Sequence, residues 1–207
     1  MGQISFTNDA GNTVNISFKV GIQGETFKPM ALDRNVNRDG NGGAEIILGS
    51  LDWELNIPTL FISEDQYNKF MGWFSYAIRG VPFSVAMDTS NVANTTLSAA
   101  GGCSESNPNN LQVTSATGIS TGDRLFVRSA NRFYYEDIKV ANLVSTTITT
   151  DWGLMNDYDS GDTIRHYRYF PSMFLDDLQE LNAGRTNALD LTAEGYRRFS
   201  LKCKEKF

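Results

Sequence analysis

One segment of this chain, "FISEDQYNKFMGWFSYAIRG" from Phe61 to Gly80, has the period of an α-helix, and nearly everything else alternates apolar and polar residues with period two. A chain patterned in this way builds sheets and has one helix to lay on them. The signals for the helix agree with one another. Ser63 is a natural N-cap, Gln66 three residues on completes a capping box, and Ile62 with Tyr67 occupies the positions of a hydrophobic staple. Glu64 and Asp65 place negative charge at the positive end of the helix dipole. Tyr67, Phe70, Met71, Phe74 and Ile78 make one apolar stripe, and Gly80 suits the left-handed residue that ends a helix. The predicted helix runs over about 63–79. Its stripe is expected to cover a sheet or a barrel mouth; core packing is the simpler role for those aromatics, a ligand box the rarer one.

The strands follow from alternation. Asn12–Val20 sets Val14, Ile16, Phe18 and Val20 against polar neighbours. Asp33–Gly43 has no apolar period and is rich in Gly and Asn, so a long flexible loop is expected there. Ala44–Ile57 alternates again, and Pro58 is expected to end it, because proline has no N–H for a ladder. Val81–Asp88 is another strand. Thr89–Asn110 is small and polar with no aromatic residue and reads as a linker. Beyond it, four or five short strands are separated by "STGD", "SAN", "VST" and "DSGD" turns, as in a small β-barrel. The closing segment sets Phe199, Leu201, Cys203 and Phe207 against Ser200, Lys202, Lys204 and Lys206. Its lysine face suggests a solvated or edge strand, or an interface with an acidic neighbour. The layout predicts a discontinuous β domain of residues 1–90 and 168–207. Residues 91–167 form a linker and an inserted barrel.

Composition narrows the function. The 207 residues are 41% hydrophobic and 20% charged, as in a folded domain. No apolar run reaches the roughly 18 residues of a membrane span. The N-terminus shows no signal-peptide pattern, and Phe6 stands where a myristoylation motif wants Ser or Thr, so synthesis in the cytoplasm is expected. A net charge of -6 argues against a protein that grips phosphates; it is compatible with a wall past which nucleic acid slides. Two cysteines, Cys103 and Cys203, make no disulfide framework and are expected to be reduced.

Catalytic templates fail by counting. His166 is the sole histidine and lies in a predicted strand, so a Ser-His-Asp triad has one narrow route. A zinc set needs more Cys and His at close spacing, and neither a Walker A sequence nor a dinucleotide fingerprint is present. Asn35, Asn37, Asp39 and Gly40 mimic a calcium loop, but Ile46 stands where its twelfth-position Glu belongs. Asp157, Asp159 and Asp162 crowd a second acidic turn, and turns want such residues for their own backbone reasons. Asp176, Asp177 and Glu180 offer paired carboxylates for glycoside hydrolysis, against the default of solvated carboxylates on a strand. Tyr134, Tyr135, Trp152 and Tyr158 are candidates for stacking on sugar rings or touching a partner, against the plainer role of packing a small core. No cofactor is expected.

The order of parts resembles the distal tail proteins of long-tailed, non-contractile bacteriophages, in their short form. There a tail-tube-like β-sandwich with one helix carries an oligonucleotide/oligosaccharide-binding-type barrel as an insertion. The resemblance rests on "WELNIPTLFISEDQY" from Trp53, "GDRLFV" at Gly122–Val127, "YEDIKVANLVSTTITT" at Tyr135–Thr150 and "GYRRFSLKCKE" from Gly195. It implies a non-enzymatic structural virion protein at the tail tip. Six copies would form a ring that joins the tail tube protein to the hub or tip protein and encloses a DNA channel without specific DNA binding. The helix would then plug the outer side of the sandwich. Asn35, Asn37, Asp39 and Gly40 would belong to an assembly loop, and Lys202 and Lys204 to a subunit interface. The insert would project outward, toward side fibres or a host surface glycan. The alternatives are another tube-fold component, a glycan-binding adhesion module and, least favoured, a cell-wall hydrolase.

Overall fold

The computed structural model describes residues 1–29, 34–38, 44–48, 53–90, 92–131, 135–181 and 195–205. The fold is mainly β with a single helix among the described residues. Among the described residues no helix is long and apolar enough to cross a membrane. The chain divides into two compact units, one of Ile4–Phe83 with Ser172–Phe207, the other of Met1–Gln3 with Ser84–Pro171.

The first strands are β1 (Gly2–Thr7), β2 (Thr13–Val20), β3 (Thr26–Pro29), β4 (Arg34–Arg38), β5 (Ala44–Leu48) and β6 (Trp53–Ser63). The helix α1 (Glu64–Ala77) and β7 (Phe83–Ala86) follow, and β16 (Tyr169–Glu180) and β17 (Tyr196–Glu205) close the chain. Seven of these strands form one sheet in the order β17-β16-β7-β1-β2-β6-β3, and β17 also pairs with β6, so the series of pairings returns on itself. The longest ladder joins β17 to β6 from Tyr196↔Ser63 to Glu205↔Trp53.

Three strand expectations are corrected here. β6 does not end at Pro58. Leu201 pairs with Ile57 and Phe199 with Leu60, so Pro58 and Thr59 together oppose Ser200. That is a bulge, where a residue without an N–H costs the ladder nothing. β17 is not an edge strand, since β16 and β6 flank it. Its lysine side is paired instead, with Lys204 Nζ 2.5 Å from Asp176 Oδ1 on β16. Arg34–Arg38 is a strand rather than loop, paired with β5 from Arg34↔Leu48 to Arg38↔Ala44.

Helix α1 begins and ends where the sequence signals place it, but its inward face is different. Phe70, Trp73 and Ala77 are buried, whereas Met71 is 41% and Ile78 62% exposed. Phe70 packs on Phe199 with ring centroids 4.7 Å apart, and Trp73 meets Phe83 edge-on at 4.9 Å. These rings join Ile16, Phe18, Leu55, Ile57, Leu60 and Ile62 in the core of this unit. The capping box is not formed, because Ser63 makes no side-chain cap to the helix. Gln66 donates to Asp65 at 2.9 Å instead, and hydrogen bonds from Ser63 and Gln66 hold the Asp65 carboxyl below its usual pKa. Gly80 has φ +79, the left-handed conformation expected of it.

In the second unit the segment read as a linker carries strands. It contains β8 (Asn94–Thr96), β9 (Gly101–Gly102) and the start of β10 (Asn110–Gln112). The remaining strands are β11 (Arg124–Arg128), β12 (Tyr135–Val144), β13 (Thr147–Thr150), β14 (Asp157–Tyr158) and β15 (Thr163–His166). Six of them form a sheet in the order β10-β13-β12-β11-β15-β8, every pairing antiparallel. A bridge between Leu97 and Val113 joins its two ends. Hydrogen bonds from Ser98 N to Gln112 O at 2.8 Å and from Thr114 N to Thr96 O at 2.9 Å flank that bridge. The result is a small closed barrel of six strands, one more than an oligonucleotide-binding-type barrel has. Leu97, Leu111, Val113, Leu125, Val127, Ile138, Val140, Ile148, Tyr158 and Ile164 fill it. β9 and β14 pair separately, Gly101 with Tyr158 and Gly102 with Asp157.

Candidate functional site

The barrel unit holds most of the side chains singled out for chemistry, and the structure distributes them. Tyr158 lies in the barrel core, where its hydroxyl donates to Glu136 Oε2 at 2.9 Å. It is therefore not a stacking surface. Its alternation on a two-residue strand was too brief to reveal which side it faces. Glu136 is itself buried and also accepts from Met155 N, which fastens the loop after β13 to β12. Trp152 on that loop is 46% exposed. Tyr135 is half-buried, with Phe126 edge-on at 6.2 Å. Asp151, next to Trp152, bonds through its N–H to Lys139 O. Tyr135 lies four residues along β12 from Lys139, roughly 13 Å at strand rise. Tyr134 lies outside the described residues, as do Asp39 and Gly40. The three described aromatics, Tyr135, Trp152 and Tyr158, thus form no common platform.

The acidic turns are occupied by backbone duty. Asp157 accepts from Ser104 N at 2.8 Å, and Asp162 accepts from Ala130 N and Asp159 N at 2.9 and 2.8 Å. Among the described residues no group of three or more His, Cys, Asp or Glu is placed to hold a metal ion. Asn35 and Asn37 sit on β4. On β16, Asp176 pairs with Lys204, Asp177 accepts from Gln179 Nε2 at 2.8 Å, and Glu180 lies 4.0 Å from Arg197. Lys202 is half-buried on β17. Burial pushes the Cys203 thiol up. Desolvation and the neighbouring Asp157 carboxylate do the same to Cys103, so neither thiol is poised as a nucleophile.

His166 is buried on β15, and its Nδ1 accepts from Arg168 N at 3.3 Å. Burial lowers its pKa below the ordinary value; Arg168 and Arg165 push the same way, against Asp123 and Asp88. The folded unit therefore holds the imidazole neutral to a lower pH than the unfolded chain, which protonates near pH 6.5. The linkage has a definite sign. Above that pH both states are neutral and the effect vanishes. As pH falls below about 6.5 the unfolded state takes the proton more readily than the folded one, and stability is lost. The expected result is a denaturation midpoint that falls more steeply from pH 7 to 5 in the wild type than in His166→Gln. Parallel pH profiles would show that His166 is not the group responsible.

A groove of about 300 Å³ opens on the barrel unit between the β9 loop and the outer side of β10 and β13. Gly101, Glu105, Asn107, Asn110, Gln112 and Thr147 line it. The strand register explains which side chains reach it. Leu111 points into the barrel, so its neighbours Asn110 and Gln112 point out. Gln112 pairs with Thr147, and Asn110 with Thr149. Asn110 N donates to Asn107 O at 3.0 Å and Glu105 N to Gly102 O at 3.2 Å, which holds the loop beside the strand. Sequence reading missed this site because it falls in the stretch taken for a linker. The density of Asn and Gln in "SESNPNNLQ" was the available signal. No protein-family model and no curated protein matches this chain.

Proposed function

We propose that this chain is a structural component of a phage tail tip. Six copies form a ring that joins the tail tube to the hub and surrounds the path of the DNA. The observation that best supports this reading is the insertion itself. The β-rich unit that holds the helix runs to Phe83 and resumes at Ser172, with a complete closed barrel between. That order of parts is the one the sequence resemblance implies. A second feature agrees. β3 ends the order of its sheet, and β4 with β5 makes a separate two-stranded sheet, so among the described residues strand edges are left over. Ring closure between copies would satisfy such edges, which otherwise invite uncontrolled pairing. An excess of negative charge suits a wall along which DNA slides without adhering.

Native mass spectrometry of the purified protein tests the proposal. A species of six times the 23.0 kDa chain, imaged as a ring with a hole wide enough for a duplex, is the expected result. Open-ended stacks would make it a tube subunit instead. A monomer at every concentration, with and without purified tail tubes, would sink both readings.

A further inference from the structure

We infer that the groove beside β10 binds a short, uncharged saccharide. The inference is independent of ring formation and of the exposed aromatics. Its first support is uncommitted hydrogen-bonding capacity. Among the described residues, no hydrogen bond or ion pair with another protein group occupies the side chains of Glu105, Asn107 and Gln112. Asn110 has its carbonyl oxygen engaged by Thr149 Oγ1 at 3.1 Å, so the amide nitrogen is its open end. Three carboxamides, the Thr147 hydroxyl and one carboxylate therefore face a single trough. Each carboxamide both donates and accepts, which is what vicinal sugar hydroxyls require.

The second support is charge. No Lys or Arg lines the groove, so a phosphate, sulfate or carboxylate would find no counter-charge there, and Glu105 would repel it. The third is firmness. Asn110 and Gln112 stand on a strand paired to β13, and the Asn107 turn is hydrogen-bonded back to Asn110. The backbone that carries these donors and acceptors is thus held in place before a ligand arrives, which leaves only side-chain rotamers to be ordered on binding. A volume of about 300 Å³ is at the small end of ligand sites.

The test is a titration of the ¹⁵N-labelled full chain with neutral oligosaccharides of glucose, galactose, rhamnose and N-acetylglucosamine. Sialyllactose and inorganic phosphate serve as charged probes. At least one neutral sugar is expected to move the side-chain amide signals of Asn107, Asn110 and Gln112. The double variant Asn107→Ala/Gln112→Ala, at exposed positions, should fold normally and bind about tenfold more weakly or worse. Trp152→Ala should bind as the wild type does. Silence from every neutral sugar, a stronger response to phosphate, undiminished binding by the double variant, or loss of binding in Trp152→Ala would each overturn the assignment.

Discussion

Replacing Trp73 by alanine is expected to cost about 3–5 kcal/mol of folding stability, the range for emptying a large aromatic site in a core. Trp73 has no exposed surface. Its ring lies 5.1 Å from Phe70 and 4.9 Å from Phe83, and the two neighbours are held by different elements, α1 and β7. The strands around the vacated space are fixed by their ladders and cannot collapse into it, which is the condition under which the cavity cost is largest. The indole nitrogen finds no hydrogen-bond partner in its buried position, so little polar interaction is lost with the ring. Trp73→Phe, which keeps most of the contact, should cost less than half as much. Met71→Ala, one position from the buried face of the same helix, should stay within about 0.5 kcal/mol, as exposed sites do. Denaturant midpoints of the three variants decide the matter. Equal losses at Trp73 and Met71 would mean that the helix packs by the other stripe.

The second large effect is expected at Gly102. Its φ is +150, a region that side chains rarely adopt. A Cβ there would lie 2.5 Å from Asn156 O and from Asp157 Cα, both backbone atoms of the segment it pairs with. Two costs therefore add, about 1–3 kcal/mol for the backbone conformation and about 1–3 kcal/mol for forcing the neighbouring chain away. The displaced residues matter in turn. Asp157 holds Ser104 N, and Tyr158 beside it carries the hydroxyl that meets Glu136 inside the barrel. Gly122→Ala is the control, because Gly122 also has positive φ, at +95, but open space around it. Gly102→Ala should be the worse of the two by about 1–3 kcal/mol in chemical denaturation. Parity between them would rule out the close approach of β9 and β14.

The helix shows how far the sequence could be read. Its limits were legible, because Ser63 and Gly80 are local signals. The buried face was not. Aromatic and aliphatic residues cover so much of α1 that two overlapping stripes satisfy the helical period, and only the partner strands choose Phe70, Trp73 and Ala77. Alternation along β17 was equally plain, with Phe199, Leu201 and Cys203 inward as expected. Whether β17 is central or peripheral depends on β6, more than a hundred residues away, and no local pattern encodes that. Pro58 misled because the rule against proline in a ladder is suspended at a bulge. The strands of the barrel unit between Asn94 and Gln112 are two or three residues long, too short to display any period. The groove suffers the same limit, since Thr147 reaches it from a strand some forty residues beyond Asn107.

The closed barrel is fastened unevenly. Five of its six junctions are ladders, while the junction at Leu97 and Val113 is one bridge between two backbone hydrogen bonds, supplemented by bonds through the exposed hydroxyls of Thr95, Thr96 and Thr114. Exposed hydroxyl bonds exchange with water at little cost, and cooperative structures breathe first where the fewest backbone bonds must break together. The barrel can therefore part along this line and reclose while its meander of β11, β12 and β13 stays zipped. β8 and β10, the strands that border the line, would loosen as a hinged pair of flaps rather than melt with the rest. A body built in this way yields to a transient load at a chosen place and recovers its shape afterwards.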